Sequence, residues 1–442
     1  MTGNGASFNL RPGGTLQGRT GVPGDKSISH RAVMLGALAE GTTRVRGFLD
    51  GMDCLATRNA FRAMGVSITD TGPGALDIQG VGLHGLQAAP GPLDLGNSGT
   101  SMRLLAGLLA GQAFDSDLTG DSSLQRRPMK RVVEPLSTMG AHIRTTVGGT
   151  APLHIRGGAH LRGVRYAMPV ASAQIKSCLL LAGLYAEGET TVVEPGPSRD
   201  HTERMLSAMG YEVRIRAREV TLSGGGTLRG GDLEVPGDLS SAAFVMVGAS
   251  IASGSDVMIE NVGVNPTRTG VIDILRLMGA DITLHNARHA GGEPVADVRV
   301  RSAALKGIDI PAALVPLAID EFPAILVAAA CAEGETWLHD AAELRVKESD
   351  RIAVMADGLT RLGIDAVPAP DGMRVQGGRL SGGTVDSHGD HRIAMAFAMA
   401  ALAAEGDVNI RDCDNVNTSF PDFAARMAGL GLNISEERTG HE

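Results

Sequence analysis

Aromatic side chains are scarce: they make up 3% of the 442 residues, and Trp337 is the single tryptophan. The stacking platforms that single-stranded nucleic acids need are therefore missing. Lys and Arg number 40 against 49 Asp and Glu, a net charge of −9, whereas a dedicated nucleic-acid surface needs the opposite balance. The four cysteines, Cys54, Cys178, Cys331 and Cys413, are far apart with no CxxC spacing. Neither a zinc site nor a disulfide framework is indicated, and a reducing cytoplasm is the expected location. Apolar runs such as 175–184 and 397–404 fall short of the roughly 20 residues a membrane span requires. The stretch Met1 to Gly14 is polar and glycine-rich, without the basic and apolar regions of an export signal or the Arg/Ser-rich pattern of an organelle signal.

What is present is glycine, 60 residues of it, within a chain that is 43% hydrophobic. That apolar content is enough for sizeable cores, and the length suggests about two folding units. The sequence also repeats itself. Met or Leu followed by Gly, ahead of an alternating apolar stretch, recurs at Gly65, Gly140, Gly210, Gly279, Gly363 and Gly431. Upstream of each stands a small residue and glycine after a long apolar run, at Gly41, Gly111, Gly188, Gly254, Gly334 and Gly406. Glycine just past a helix is the expected left-handed cap, so both markers read as helix stops. Each copy is then a short strand, a helix apolar nearly all round, a second strand, an amphipathic helix and a closing strand. Such a first helix must be buried on every side. A one-layer solenoid does not provide that, so the six copies are expected to group three to a globule, with the break at Pro236-Gly237.

The residues that open the first helices are unlike one another: Gly24-Asp25-Lys26-Ser27, Gly96-Asn97-Ser98-Gly99-Thr100, Ser172-Ala173-Gln174, Gly237-Asp238, Asp320-Glu321 and Gly389-Asp390-His391-Arg392. In a repeat fold these openings share a rim. A helix start presents unpaired N–H groups and a partial positive charge, which favour anions. Lys26, Arg31, Arg103 and Arg392 lie near such starts, and the loops before the second helices add Arg126, Arg127, Arg199, Arg345, Lys347 and Arg351. Arginine clustered in an acidic protein suits phosphate and carboxylate. Simpler readings exist. Ser27, Asp238 and Asp390 would serve as plain helix caps, Gly96 to Thr100 as a turn, Arg126-Arg127 as solvated charge. No GxxxxGK[ST] occurs, so nucleotide binding is unsupported. His388 and His391 lack the further ligands of a metal site.

With these segments laid out, the chain from about Leu16 to Ile434 resembles the 5-enolpyruvylshikimate-3-phosphate synthase (3-phosphoshikimate 1-carboxyvinyltransferase) family. GDKSISHRA at 24–32, LGNSGTSMRLL at 95–105, RRPM at 126–129, SAQIKSCLLLAGL at 172–184, RDHTE at 199–203, IDEFP at 319–323, RVKESDR at 345–351 and GDHRIAM at 389–395 carry the likeness together. The resemblance implies an α/β (α+β) fold of two globular domains, each three βαβαββ repeats around a pseudo-threefold axis, with an interdomain cleft that closes on substrate. Residues 23–236 would form the N-terminal globule, and 237–442 the C-terminal one, joined by the strand within 1–22.

The implied reaction moves the enolpyruvyl group of phosphoenolpyruvate to the 5-hydroxyl of shikimate 3-phosphate and releases phosphate, on the shikimate route to chorismate and aromatic amino acids. By matching positions, Asp320 is the base for the hydroxyl, Glu348 handles the methylene proton, and Lys26 touches both substrates and shares acid-base work. Shikimate 3-phosphate would be held by Lys26, Ser27, Arg31, Ser172, Ala173, Gln174, Arg199, Asp320 and Lys347. Phosphoenolpyruvate would be held by Lys26, Asn97, Gly99, Thr100, Arg127, Gln174, Glu348, Arg351 and Arg392. No metal or organic cofactor is implied, and the enzyme is expected to be a cytoplasmic monomer. Two departures stand out. Thr418 replaces a lysine that many members carry, and Ala173 replaces a serine in some. With ASAQIKS and RVKESDR, these resemble the family's second sequence class, which includes glyphosate-tolerant forms, often with alanine where this chain has Gly99. Two rivals remain: transfer to a UDP-sugar by the sister enzyme, whose mobile-loop cysteine has no counterpart here, and a non-catalytic anion-binding protein of the same fold.

Overall fold

A computed structural model describes residues 5–438; residues 1–4 of the expected crossing strand, and 439–442, lie outside the described residues. Twelve α-helices are present among the described residues, and none is long and apolar enough to cross a membrane. The chain divides into two units, each with its own hydrophobic core. One contains Gly24–Val235 and His289–Glu293; the other contains residues up to Pro23, Pro236–Arg288 and those from Pro294 on. His289–Glu293, which the sequence placed with 237–442, goes with the first unit, where Glu293 Oε1 meets His201 Nδ1 at 2.7 Å and both side chains are buried.

In the unit built on Gly24–Val235, three sheets share one strand order. Arg165–Ala167 lies parallel to Glu189–Val193, which is antiparallel to Glu219–Ser223, with Arg214–Arg216 outermost. Leu93–Asp94, Ser116–Thr119, Leu153–Arg156 and His142–Arg144 repeat the order. The sheet of the first repeat is completed by Asp232–Glu234, the last strand of the unit, parallel to Glu40–Arg46. The closing element of each repeat is thus a hairpin, one strand more than the sequence pattern alone resolved.

The other unit repeats the order with two substitutions from the chain start. Gln17–Gly21 is the parallel edge strand beside Asp256–Gly263. Ala6–Gly14 runs antiparallel between Val408–Arg411 and Leu432–Arg438. In the fifth repeat, isolated parallel bridges from Lys306 and Asp309 to the strand region Glu333–Trp337 take the place of an edge strand.

Six buried helices, Lys26–Leu38, Gly99–Ala110, Ala173–Gly183, Leu239–Ile251, Phe322–Ala330 and His391–Ala400, form the centres of the two units. Leu239–Ile251 is buried at every position from Leu239 to Ser250. Pro323 sits in the first turn of its helix, where the missing N–H costs nothing. The last three of these helices touch one another pairwise. In the Gly24–Val235 unit, Gly99–Ala110 and Ala173–Gly183 approach through a small residue: an ideal Cβ on Gly107 would lie 2.1 Å from the Cys178 carbonyl oxygen. Close helix approach through Ala and Gly leaves little room for rings, which accounts for the scarcity of aromatics.

The two glycine markers differ. All six glycines after Met or Leu have positive φ, from 84° at Gly210 to 116° at Gly431, as left-handed caps require. The upstream set is mixed, contrary to expectation. Gly111 has φ −89°, and there a Cβ would lie 2.2 Å from Tyr185 Cγ; glycine is needed for space, not for handedness.

Gly107→Ala is expected to push two buried helices apart and destabilise the protein by about 1–3 kcal/mol, the usual cost of overpacking. A urea or guanidinium midpoint equal to that of the unsubstituted chain would contradict this packing account.

Candidate active site

In the Gly24–Val235 unit, three helix starts are tied together by polar contacts. Asp25 caps Lys26–Leu38 by accepting from the Ile28 N–H at 2.9 Å. Lys26, the first helical residue, places Nζ 2.5 Å from Asp53 Oδ2. Arg31, one turn on and 4% exposed, donates to the Ser27 carbonyl at 2.8 Å, to Thr202 Oγ1 at 2.6 Å and to Ser177 Oγ at 2.7 Å. Burial, opposed by Glu203 and Asp25, lowers its pKa to about 10, so it stays charged at neutral pH. Arg199 adds to that lowering, which places its charge close to Arg31.

The second helix start follows Gly96 to Thr100, the segment read as a turn or a cradle. Ser98 caps Gly99–Ala110, accepting from the Ser101 N–H at 3.1 Å. Arg127 donates to Asn97 Oδ1 at 2.5 Å, and Asn97 Nδ2 in turn donates to Asp121 Oδ2 at 2.7 Å. Arg103 donates to Gln174 Oε1 at 2.5 Å, while Gln174 Nε2 donates to Thr100 Oγ1 at 3.1 Å. Gly99 lies between the two guanidiniums: a Cβ there would be 3.1 Å from Arg127 Nη1 and 3.2 Å from Arg103 Nη1. Ser172 caps the third helix start, with Ala173 and Gln174 as its first residues. Arg126, by contrast, is exposed while Arg127 is buried; the pair splits into one solvated charge and one buried charge.

Beneath this surface, His30 is fully buried. Its Nδ1 lies 2.8 Å from Thr57 Oγ1, which meets Ser101 Oγ at 2.5 Å, and Ser101 meets the capping Ser98 at 2.7 Å. Burial, helped by Lys26 and Arg31, holds the His30 pKa well below 6.5. The ring is neutral and adds no charge. Lys176, 1% exposed, pairs with Glu203 at 2.6 Å and Glu194 at 3.0 Å, and burial pushes the Glu203 pKa up against the opposing effect of Lys176.

In the other unit, Arg351 is the centre. It is 1% exposed, and its Nε donates to Asp390 Oδ2 at 2.8 Å, Nη2 to Glu348 Oε2 at 2.6 Å and Nη1 to Asp320 Oδ1 at 3.4 Å. Burial alone would lower its pKa, but Asp390, Glu348 and Asp320 together raise it above the ordinary arginine value. Lys347 Nζ reaches the same Asp320 oxygen at 3.2 Å, and Arg392 donates to the Asp320 carbonyl at 3.0 Å. Asp320, Lys347, Glu348, Arg351 and Arg392 are therefore one cluster. Arg345 is not part of it: it is bound to Asp350 and to the carbonyls of Pro370 and Ala369. Thr418 donates to the Asn415 carbonyl at 2.7 Å and contributes no cation.

Sequence reasoning missed Asp53 and treated Asp390 as a cap. Asp390 is a cap, accepting from the Arg392 N–H at 3.0 Å, and its other oxygen holds Arg351. Asp53 lies in the first turn of Met52–Ala63, the place in its repeat where other copies carry arginine, a signal that was available. Among the described residues, no group of three or more His, Cys, Asp or Glu is arranged to hold a metal.

Residues 10–427 match the family model for EPSP synthase (3-phosphoshikimate 1-carboxyvinyltransferase). The chain is 67% identical over 429 residues to a 3-phosphoshikimate 1-carboxyvinyltransferase of Alkalilimnicola ehrlichii, covering 97% of this chain and 96% of that one. It is 65% identical over 427 residues to that of Methylococcus capsulatus, covering 97% and 98%. Among solved structures, EPSP synthase from Acinetobacter baumannii superposes with a TM-score of 0.89 at 56% identity, covering 98% of this chain and all of that one. The enolpyruvyl transferase NikO from Streptomyces tendae shares the fold at TM-score 0.80 and 18% identity, over 99% of this chain and 100% of that one. The chain belongs to the EPSP synthase family.

Proposed function

We propose that the protein transfers the enolpyruvyl group of phosphoenolpyruvate to the 5-hydroxyl of shikimate 3-phosphate, giving 5-enolpyruvylshikimate 3-phosphate and phosphate. The observation that carries this reading is the meeting of Asp320 and Glu348 on the single guanidinium of Arg351, with Lys347 and Arg392 alongside. Two carboxylates within one cationic cluster can divide the proton work. Asp320 takes the proton of the attacking hydroxyl. Glu348, with Lys26, delivers a proton to the methylene carbon and removes one as phosphate leaves the tetrahedral intermediate. The cations stabilise charge on the phosphates and carboxylates throughout.

Shikimate 3-phosphate is assigned to Lys26, Ser27, Arg31, Ser172, Ala173, Gln174, Arg199, Asp320 and Lys347. Phosphoenolpyruvate is assigned to Lys26, Asn97, Gly99, Thr100, Arg127, Gln174, Glu348, Arg351 and Arg392. The amide oxygen of Asn97 accepts from Arg127 and orients its guanidinium. Arg103, bound to Gln174, belongs to the same cradle and joins the assignment.

Transfer to a UDP-sugar through a reactive cysteine is disfavoured by the thiols themselves. Burial pushes Cys331 and Cys413 up to about 12 and raises Cys178 as well, and a thiolate is the reactive form. All four cysteines are free, in keeping with a reducing cytoplasm, where the protein is proposed to act as a monomer. A phosphate-release assay with shikimate 3-phosphate and phosphoenolpyruvate tests the whole reading against the UDP-sugar and the non-catalytic alternatives.

Glu348→Gln keeps the shape beside Arg351 but loses the proton. Turnover should fall by about 10² or more, the scale of general acid-base groups, with shikimate 3-phosphate still bound; undiminished turnover removes Glu348 from its role. Glyphosate should compete with phosphoenolpyruvate, because Gly99 leaves the space between Arg103 and Arg127 open. Gly99→Ala should force a guanidinium aside by tenths of an ångström and weaken both ligands. Flat inhibition of the unsubstituted chain up to millimolar glyphosate would refute this.

A further inference from the structure

Arg268 lies in the loop that opens the second helix of the fourth repeat, the place where Arg351 stands in the fifth. None of the substrate contacts assigned above falls in the fourth repeat. Yet Arg268 is 4% exposed, and a buried guanidinium is costly without partners. Its Nη2 lies 3.1 Å from Asp238 Oδ1, 2.5 Å from Ser240 Oγ and 3.6 Å from Glu321 Oε1. Ser240 also donates to that Glu321 oxygen. The same Oε1 is 3.7 Å from Arg392 Nη1, the atom that donates to the Asp320 carbonyl at 3.0 Å.

Three buried helix starts are thereby joined through one carboxylate oxygen. Asp238 caps Leu239–Ile251, Glu321 is the cap residue of Phe322–Ala330, and Arg392 is the second residue of His391–Ala400. Glu321 is 2% exposed and directly follows Asp320. We propose that Arg268 and Glu321 are positioning residues, a buried relay that fixes the Arg392 guanidinium for phosphoenolpyruvate. Neither touches substrate. Arg268 holds Glu321 in place from the far side, and Glu321 holds Arg392 from below. This rests on the enolpyruvyl-transfer reading, in which Arg392 is part of the phosphoenolpyruvate clamp.

The test uses the full chain with both substrates. Glu321→Gln keeps a partner for Ser240 but loses the charge between two arginines. It should raise the phosphoenolpyruvate KM about tenfold, the scale of a charge-assisted contact. The kcat should change by less than about threefold, and shikimate 3-phosphate should bind as before. In an Arg392→Lys background the Glu321→Gln increment should vanish, since the residue acts through Arg392. Arg268→Lys keeps every charge and carries the same test if Glu321→Gln fails to fold. The lysine ammonium is carried on a differently shaped side chain and is not held where Nη2 meets Asp238, Ser240 and Glu321, so the same KM shift is expected. An unshifted phosphoenolpyruvate KM in the folded variants, or effects that simply add to Arg392→Lys, would overturn the relay. No phosphate release by the unsubstituted chain would instead overturn the enolpyruvyl-transfer reading, and the relay with it.

Discussion

A guanidinium buried to 1% and held by three carboxylates, Arg351 with Asp390, Glu348 and Asp320, organises everything around it. Removing such a charge from water costs several kcal/mol unless its donors are satisfied. The carboxylates are therefore held as firmly as the arginine. They come from three places: a helix cap in the sixth repeat, the loop beside Arg351, and the helix start of the fifth repeat. Two of them are the proposed proton carriers. The energetic demand of one buried cation thus fixes the geometry of both proposed proton carriers, which neither segment would achieve alone.

The two units answer the same problem with different chemistry. Both must hold three helix starts together at a polar surface. The Gly24–Val235 unit does so with neutral groups beneath the cradle, His30, Thr57, Ser98 and Ser101, with the amides of Asn97 and Gln174, and with the charged contacts of Arg31 and Lys176 beside them. The other unit uses alternating charge in two groups, Asp238, Arg268, Glu321 and Arg392 in one and Asp320, Arg351 and Asp390 in the other, joined where Arg392 donates to the Asp320 carbonyl. In the Gly24–Val235 unit, Arg103 and Arg127 are oriented by amide oxygens. Alternating scaffolding largely cancels its own charge and supplies carboxylates. The proposed proton carriers, Asp320 and Glu348, belong to the second of these networks.

Much of this was legible in the sequence because the repeat is written in glycine. The six Met/Leu-Gly markers are left-handed caps that few other residues tolerate, so the pattern persists and locates each helix end. The helix openings could then be aligned, and unlike side chains at equivalent places stood out. The supporting partners were harder to read. Arg351 and Asp390 are 39 residues apart, and their pairing depends on two repeats meeting. Asp238 and Asp390 were hidden by their own adequacy as caps, since a carboxylate can cap with one oxygen and pair with the other. Arg345 misled for the opposite reason. It stands in a charged motif, but its guanidinium is bound by carbonyls of a neighbouring strand that no local pattern announces. The second strand of each closing hairpin was unresolved because strands as short as His142–Arg144 are too brief to show a period.

Equivalent backbone positions with unequal side chains explain how six copies make one enzyme. The loop or first turn of the second helix carries Asp53 in the first repeat, Arg127, Arg199, Arg268 and Arg351 in the next four, and the threonine-bearing segment around Thr418 in the last. Asp53 holds the lysine of its own repeat. Arg127 is turned to the cradle, Arg268 to a buried carboxylate, and Arg351 to three. Thr418 spends its hydroxyl on a turn, so the sixth repeat contributes its cation from the first helix, as Arg392, and not from the second. A single side chain at a fixed place can bind, position or merely close a turn, and which it does is decided by the charge the adjoining repeat presents to it. Symmetry supplies the places, and the broken symmetry of the charges supplies the chemistry.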